Sequence, residues 1–421
     1  MLEPRASTLP GEDSDAPIRV LFVDDEAGVL DGLRRSLRKQ REVWDMVFAQ
    51  GGAAGLEALR AGEFGVIVCD VAMREVDGFE VLGFAKERQP EALRIVLTGQ
   101  SDFESAVRSV ALAHQVLAKP SDRDEVRHKI ERACTLRGLL ADAALRRALS
   151  SIDSLPSAPT LFTKLTHLLA DEDTGAEDIG ELLEQDLAMS AKILQVVNSA
   201  FFGLPRVITN MSEAAAFLGQ RVIRAMVLGE EAFRPFKGQG LFSAADLERE
   251  QRHGFEVGQL ARRIVGPGEL SEGAFLAGMM HDLGWTVIGC LLPDLYRAFG
   301  VRRRAGQRGP AIERITMGAN HEAIGAFLLG AWGLPLEVVE AVAYHSEPQR
   351  VPHEEPGVIT AVHVASSLLH ELRTADDTPD PRPSGLPLNE DYVAGLGLRS
   401  RIDEWRAMAT AIHRTIAANA A

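Results

Sequence analysis

Apolar and polar positions alternate in two different ways along the chain. Up to about residue 136, short apolar runs at residues 20–23, 66–69, 95–97 and 116–118 have the length and composition of buried strands. Segments between them, such as residues 29–37, carry apolar residues at the three- and four-residue spacing of a helix packed on a core. This alternation predicts a doubly wound α/β domain with a parallel sheet of five strands.

From about residue 155 onward, the spacing of apolar residues is helical almost everywhere. Glycine and proline, as at residues 203–205 and 266–268, mark turns between the predicted helices. The C-terminal part is therefore predicted to be an all-α domain. Two of its apolar faces are formed by Leu161, Leu165, Leu168 and Leu169, and by Ile179, Leu182, Leu183 and Leu187.

The change in periodicity predicts four segments: a flexible tail over residues 1–16, an α/β domain over 17–136, a connecting helix over 137–151 and a helical domain over 152–421. The last helix of the α/β domain is predicted to start near Asp122 and to continue to about Ala148. One hypothesis is a homodimer formed through this helix, and the other is a simple connection. The homodimer rests on an apolar stripe that follows a heptad for about two repeats, formed by Ala133, Leu136, Leu140 and Ala143.

Composition narrows the classes of function. The 421-residue chain has a formal net charge of −15 and a pI near 5.3, which disfavours nucleic-acid binding because phosphate contacts demand clustered lysine and arginine. Cys69, Cys134 and Cys290 are far apart, so we expect reduced thiols. We find no apolar stretch of about 18 residues, and we therefore expect no membrane span and a cytoplasmic location.

Each of the four predicted strands leads into polar residues. Asp24 and Asp25 end the first, Asp70 ends the second, Thr98 the third, and Lys119 follows the fourth. Ligands of open α/β sheets bind at the carboxyl ends of the strands, so we expect these five residues to share one site.

The residue types in this site point to phosphoryl transfer. Asp24, Asp25 and Asp70 are hard oxygen ligands that suit Mg²⁺. Asp70 would also be the nucleophile that attacks phosphorus, as carboxylates do in some ATPases. Thr98 would donate a hydrogen bond and Lys119 would supply positive charge to the phosphoryl oxygens.

This set of residues resembles the receiver domain of two-component response regulators, over about residues 18–136. The resemblance implies a flavodoxin-like fold and a partner histidine kinase from which Asp70 takes a phosphoryl group. Two positions differ from the common pattern: Arg74 stands where many relatives have proline, and Val116 where many have an aromatic residue that changes rotamer on activation. We therefore expect an altered loop after Asp70 and no aromatic switch.

The helical part resembles a second family. Residues 155–159 (LPSAP), 197–200 (VNSA) and 217–219 (FLG) are similar to the HDOD domain, a relative of the HD hydrolases, and residues 278–284 contain the adjacent histidine and aspartate of that superfamily. The resemblance implies a metal site formed by His253, His281, Asp282, His321 and His345. Imidazole and carboxylate ligands together suit Fe, Mn, Zn or Ni. The alternative to a metal site is that His281 and His345 are buried and bonded to backbone while the other histidines lie at the surface.

The hydrolase pattern is incomplete. Trp285 stands where cyclic-dinucleotide phosphodiesterases of the superfamily have lysine, Ser346 follows His345 where they have a second histidine, and residues 365–366 lack their final aspartate. We therefore predict a phosphorylation-dependent response regulator with no enzymatic activity beyond autophosphorylation, whose HDOD domain is an output module for an unidentified downstream protein. The alternatives are a metal-dependent HD-type phosphohydrolase acting on a cyclic dinucleotide or nucleotide, and a DNA-binding transcriptional regulator.

Overall fold

A computed structural model of the chain describes residues 17–99, 112–119, 123–140, 142–150, 155–157, 159–169, 174–198, 206–228, 234–235, 242–304, 310–351, 355–375 and 387–420, with single positions at 152, 171 and 204. The chain divides into two compact units. The first holds residues up to 153 with the segments 195–207 and 330–333, and the second holds 154–194, 208–329 and 334–421. The predicted segment limits stay predictions, and the tail at residues 1–16 lies outside the described residues.

A parallel sheet forms the centre of the first unit. Its described strands are β1 (Ile18–Asp24), β2 (Trp44–Gln50), β3 (Val66–Asp70), β4 (Leu93–Thr98) and β5 (Gln115–Ala118), in the order β2-β1-β3-β4-β5. All four strand pairings are parallel. The predicted doubly wound sheet is therefore confirmed. Its order reverses between β1 and β3, where such sheets open a ligand-binding crevice.

Helices cover this sheet because its strands are apolar on both faces. Leu30 and Leu33 of one helix and Val126 and Ile130 of another share a buried cluster with alternate residues of β1 and β3. On the opposite face, Gly55 lies against Val23. The described helices of this unit are α1 (Ala27–Ser36), a 3-10 turn (Arg38–Glu42), α2 (Gly52–Ala61), α3 (Gly78–Arg88), α4 (Arg123–Gly138) and α5 (Ala143–Ser150).

The predicted continuous helix from Asp122 to Ala148 is wrong. Helix α4 ends at Gly138, and α5 begins at Ala143. A new helix starts there because the Asp142 side chain accepts a hydrogen bond from the backbone N–H of Leu145 at 2.8 Å, which is an N-cap contact. The side chains of Ala133, Leu136 and Ala143 lie outside the described part of the chain, so the homodimer hypothesis stays a prediction.

The second unit is helical, as predicted, with one addition: a pair of two-residue strands, β6 (Pro156–Ser157) and β7 (Arg234–Pro235). The described helices after residue 155 are α6 (Pro159–Leu168), α7 (Ala176–Leu183), α8 (Leu187–Val197), α9 (Met211–Leu218), α10 (Gln220–Leu228), α11 (Ala244–Val265), α12 (Leu270–Met280), α13 (Leu283–Leu291), α14 (Pro293–Arg304), α15 (Pro310–Met317), α16 (His321–Ala331), α17 (Leu336–Tyr344), α18 (Val358–Ala375), α19 (Glu390–Gly395) and α20 (Ile402–Ala420), with 3-10 turns at Pro348–Arg350 and Arg399–Arg401. The last residues of α8 and α16 belong to the first unit.

Helices α11 and α12 pack with their backbones in close contact. A Cβ atom added at Gly278 would lie 2.7 Å from the Cα atom of Gly258, so neither helix tolerates a side chain at this crossing. The close packing matters for function because α11 carries His253 and α12 leads directly into His281.

One described stretch, Leu270–Leu291, is long and apolar enough by composition to cross a membrane, so the expectation that the sequence contains no such stretch is wrong. In the structure it is broken into α12 and α13 at His281 and Asp282, and 89% of its most apolar window is buried. Burial of this degree is that of a core segment of a helical domain. The cytoplasmic location stays a prediction.

The buried His114 is expected to make the stability of the first unit depend on pH. Its Nδ1 atom accepts a hydrogen bond from the backbone N–H of Arg94 at 3.0 Å. Burial, followed by the charge of Arg94, holds the pKa of His114 well below its ordinary value of about 6.5. Because the folded pKa is depressed, the contribution of His114 to stability is present above pH 6.5 and is lost as the pH falls below it.

We therefore expect His114→Gln to flatten the pH dependence of unfolding below pH 6.5, by up to about 1.4 kcal/mol per pH unit. The glutamine carbonyl can still accept the hydrogen bond from Arg94. Urea unfolding of the full chain between pH 5 and 7.5 measures the effect, with His128→Gln on the exposed side of α4 as the control. Equal slopes for the wild type and His114→Gln would contradict this prediction.

Candidate functional site

The carboxyl ends of β1 and β3 place two buried aspartates beside one lysine. Asp24 and Asp70 are 1% and 3% exposed. The Nζ atom of Lys119, just after β5, lies 2.7 Å from Oδ2 of Asp24 and 2.7 Å from Oδ2 of Asp70. Because β1, β3 and β5 are parallel strands of one sheet, their carboxyl ends lie at the same edge and three residues distant in sequence form one charged cluster.

Asp25 joins this cluster from the loop after β1. One carboxylate oxygen from each of Asp24, Asp25 and Asp70 lies within 4.8 Å of the others. The backbone N–H of Arg74 donates to Oδ2 of Asp25 at 3.3 Å, so the loop after Asp70 helps to hold Asp25 in place. Three carboxylates balanced by one ammonium group leave an excess of negative charge, and their hard oxygen atoms fit Mg²⁺.

Burial and pairing shift the titration of this cluster. Burial raises the pKa of Asp24 above its ordinary value, although the hydrogen bond from Lys119 acts in the opposite direction. Burial alone would lower the pKa of Lys119, but its hydrogen bonds to Asp24 and Asp70 raise it above the ordinary value. Lys119 is therefore a permanent cation at neutral pH, suited to pairing with phosphoryl oxygens.

Backbone contacts fix the orientation of Asp70. The N–H of Ala72 donates to its Oδ1 atom at 3.1 Å, which leaves Oδ2 facing Lys119. Thr98 ends β4 at the same edge of the sheet, as the sequence predicts, but its side chain lies outside the described residues. Val116 is a buried residue of β5.

A second cluster lies in the helical unit. It combines His253 of α11, His281 and Asp282 between α12 and α13, His321 at the start of α16, and His345 after α17. All five residues are buried. Oδ2 of Asp282 lies 3.3 Å from Nε2 of His281 and 3.9 Å from Nε2 of His253. Oδ1 of Asp282 lies 3.4 Å from Nε2 of His321. The structure thus brings together all five residues of the predicted metal set.

The Nδ1 side of three rings in this cluster is bonded to the protein. Nδ1 of His281 is 2.7 Å from the carbonyl of Gly278, and Nδ1 of His345 is 3.0 Å from that of Val342. Nδ1 of His321 is 2.7 Å from Oε2 of Glu313. A carbonyl or carboxylate can only accept, so each ring is a donor at Nδ1 and its Nε2 is left for another partner. For His281 and His321, Nε2 makes no aligned hydrogen bond within the described part of the chain.

This arrangement decides between the two interpretations of the histidines only in part. His281 and His345 are indeed buried and bonded to backbone carbonyls. His253 and His321, however, are buried rather than at the surface. Burial, followed by the neighbouring His281 and His321, lowers the pKa of His345 well below its ordinary value. Burial acts in the same direction on His321, but Glu313 and Asp282 raise the pKa of His321 well above its ordinary value.

Three buried residues around this cluster were missed from the sequence. Glu313 and Glu322 are fully buried carboxylates, and the Nδ1–H of His363 donates to the backbone carbonyl of His345 at 2.7 Å. Burial raises the pKa of Glu322, whose Oε1 accepts from the backbone N–H of Ser346 at 3.0 Å. Arg314 follows Glu313 directly in the sequence, so no local signal separates Glu313 from an ordinary surface carboxylate of a helix.

Two protein families match the chain. The family described as response regulator receiver domain matches residues 20–131, and the HDOD domain family matches residues 155–348. The chain is a response regulator with a receiver domain and an HDOD domain. Receiver domains interact with a histidine kinase or another phosphodonor and generally bind Mg²⁺, which agrees with the carboxylate cluster of the first unit.

Relatives of this response regulator match parts of it. An uncharacterized protein of Treponema pallidum is 25% identical over 227 residues, which are 52% of this chain and 43% of that protein. The transcriptional regulatory protein ZraR of Escherichia coli is 27% identical over 252 residues, or 56% of this chain and 51% of ZraR. The chain spans about half the length of these curated relatives. The solved MmoQ response regulator of Methylococcus capsulatus is 20% identical, with a TM-score of 0.44 over 60% of this chain and 98% of that chain.

Trp285 closes one side of the histidine cluster in the HDOD domain. Its ring stacks on His321 with 5.5 Å between centroids and meets Phe299 edge-on at 5.1 Å. This position therefore contributes a buried aromatic wall and not the flexible cation of the hydrolases. Ala365, near the expected position of the final aspartate, is a buried residue of α18 and offers no ligand.

Proposed function

We propose that this response regulator signals through phosphorylation of Asp70, with the HDOD domain acting as a non-catalytic interaction module for a downstream protein. The observation that supports the first part best is the position of Lys119, whose ammonium group lies 2.7 Å from both Asp24 and Asp70. A nucleophilic carboxylate, a cation for the phosphoryl oxygens and a carboxylate pair for Mg²⁺ are thereby adjacent.

The transfer requires little covalent chemistry from the protein. An oxygen of Asp70 forms a bond to phosphorus while the bond between phosphorus and the donor's imidazole nitrogen breaks, and the imidazole keeps the electron pair and takes a proton from water. Lys119 pairs with the phosphoryl oxygens as negative charge spreads over them. Bound Mg²⁺ would neutralise further charge on the same oxygens. The product, an aspartyl phosphate, adds a charge near −2 at this edge of the sheet.

The surroundings of the HDOD histidines support a non-catalytic role. Trp285 occupies the place of the substrate-orienting lysine, and residues 365–366 provide no carboxylate. A hydrolytic site without these groups loses transition-state stabilisation and part of its metal affinity.

We propose that the histidine cluster nevertheless binds a divalent transition metal. Asp282, Glu313 and Glu322 are three buried carboxylates within or beside a group of four histidines, and buried carboxylates are stable only when cations or hydrogen bonds compensate them. The Nε2 atoms of the histidines and the Asp282 carboxylate face one another, and this mixed nitrogen and oxygen set suits Fe, Mn, Zn or Ni. The metal would hold four helical segments together.

Hydrogen exchange of the full chain tests whether the HDOD domain responds to Asp70. We expect Mg²⁺ and beryllofluoride, a mimic of the aspartyl phosphate, to change amide protection in helices beyond residue 155. The reason is that beryllofluoride, like a phosphoryl group, adds negative charge at Asp70 and reorganises the site around Lys119. The Asp70→Asn variant, treated in the same way, should show no change. Exchange in the HDOD helices that is identical with and without beryllofluoride would contradict the output role.

Two other functions remain as candidates, each with one observation in its favour. The assembled histidine cluster favours a metal-dependent phosphohydrolase, and turnover of a cyclic dinucleotide that His281→Ala abolishes would replace the non-catalytic hypothesis. The name of ZraR, a transcriptional regulatory protein, favours DNA binding. The net charge of −15 disfavours DNA binding. A gel shift at low salt tests whether the chain binds DNA.

A further inference from the structure

We infer that Glu313 is a positioning residue that holds the His321 ring with its Nε2 atom toward the centre of the histidine cluster. This inference rests on the proposed metal site, since orienting Nε2 has a use only if something binds there. Glu313 lies on α15, eight positions before His321 in sequence, and is 0% exposed.

Glu313 contacts His321 at two points with the same oxygen. Its Oε2 atom accepts from the backbone N–H of His321 at 2.7 Å and from the ring Nδ1–H at 2.7 Å. The first contact fixes the start of α16, and the second fixes the rotation of the ring. The ring cannot turn about its Cβ–Cγ bond without breaking a charge-assisted hydrogen bond in a buried environment.

The other surroundings of Glu313 agree with a role in orienting the His321 ring, beyond a contribution to the stability of the fold. The second oxygen of Glu313, Oε1, is buried and has no hydrogen-bond partner within the described part of the chain. A helix start needs only a neutral acceptor, and Asn320 already caps α16 by accepting from Ala323 at 3.1 Å. A fully buried carboxylate that accepts from Nδ1 of His321 is therefore more than capping requires. Carboxylates bonded to metal-binding histidines are common, because they fix the orientation of the ring and raise its basicity.

Trp285 limits the remaining freedom of the ring. Its indole stacks on the His321 ring with an angle of 28° between their planes. The ring is thus held at its edge by Glu313 and on its face by Trp285, with Nε2 3.4 Å from Oδ1 of Asp282. Glu313 touches no candidate substrate atom and acts only through His321.

Titration of the full-length chain with Co²⁺, after removal of metal by a chelator, tests this inference. We expect Glu313→Gln to weaken Co²⁺ binding by about 10- to 100-fold, the usual effect of removing a partner of a ligating histidine. Glu337→Gln is the control, because it makes the same substitution at an exposed glutamate of the same domain, on α17. His281→Ala, which removes a proposed ligand, gives the level of binding without the site.

A second measurement separates orientation from general stability. In chain labelled with ¹⁵N-histidine, the Nδ1–H of His321 should give a hydrogen-bonded, slowly exchanging proton signal, identified by its absence in His321→Asn. The signal should be unchanged in Glu337→Gln, whereas in Glu313→Gln it should shift upfield and exchange faster, because the neutral amide oxygen of glutamine is a weaker acceptor than the carboxylate. If Glu313→Gln does not fold, Glu313→Asp keeps the charge with a shorter reach, and we expect it to weaken the same signal and to lower Co²⁺ affinity by a smaller factor.

The outcomes distinguish failure of this inference from failure of the metal site. A wild-type chain that binds no more Co²⁺ than His281→Ala overturns the metal site and the positioning role together. A wild type that binds Co²⁺ tightly, with Glu313→Gln within twofold of it and the Nδ1–H signal unchanged, overturns the positioning role alone.

Discussion

Replacing Asp70 with asparagine is expected to reduce labelling of the full chain by a small phosphodonor, such as acetyl phosphate, to background. The amide has no anionic oxygen to form a bond to phosphorus, so the nucleophile is lost. The fold should be preserved, because asparagine has nearly the same volume and its carbonyl can still accept from Lys119 or from the N–H of Ala72. Phosphate incorporation measured by mass, with Mg²⁺ present, checks the result.

The control for this variant is Asp45→Asn. Asp45 is a carboxylate on β2 of the same sheet, but it is exposed and paired with Arg19 at 2.9 Å. We expect its replacement to leave labelling at the wild-type level. Labelling of Asp70→Asn that persists at the wild-type level would mean that another residue accepts the phosphoryl group.

The second large effect is expected from Gly78→Ala, at the first position of α3. A Cβ atom at Gly78 would lie 1.9 Å from the carbonyl oxygen of Asp70 and 2.6 Å from the Cα atom of Val71. Both neighbours are backbone atoms, so no side-chain rotation relieves the contact and the end of β3 must move. Overpacking of this kind lowers the free energy of unfolding by about 1–3 kcal/mol, and a backbone clash belongs at the upper end.

The same substitution five residues later should change the free energy of unfolding in the opposite direction. Gly83 lies within α3 with no atom within 4 Å of an added Cβ. Alanine at this position should raise the free energy of unfolding by up to about 1 kcal/mol, because it is the better helix former. Urea unfolding of both variants, with labelling rates at Asp70, gives the comparison. Equal unfolding midpoints for Gly78→Ala and Gly83→Ala would show that the close contact at Asp70 is not rigid.

The receiver domain could be predicted from the sequence because its information is local. Each strand is a continuous apolar run, and each polar residue of the site follows such a run, so the parallel sheet places Asp24, Asp70 and Lys119 together without any knowledge of packing. Gly78 was not predicted, since its importance depends on a backbone contact with β3 that no local pattern encodes. The break between α4 and α5 was also missed, because the capping contact of Asp142 competes with a continuous apolar stripe.

The histidine cluster of the HDOD domain could be predicted from the sequence only in part. The five predicted residues come from four separate segments of the chain between His253 and His345, and only a resemblance to a known family grouped them. The structure adds Glu313 and Glu322, whose acidic side chains look like ordinary surface residues in the sequence but are buried against histidines. Their role depends on packing between helices, which apolar periodicity does not specify. The stretch Leu270–Leu291 was missed for a related reason: its apolar character surrounds the polar pair His281 and Asp282.

The identity of the phosphoacceptor is the claim on which this account depends, and chemical mapping of the phosphorylated residue tests it most directly. Borohydride reduces an aspartyl phosphate to homoserine, which marks the modified position in a peptide mass spectrum. After treatment of the full chain with acetyl phosphate and Mg²⁺, we predict homoserine at position 70 and at no other aspartate. Homoserine at Asp24 or Asp25, or a chain that carries phosphate with aspartate intact at position 70, would contradict the account.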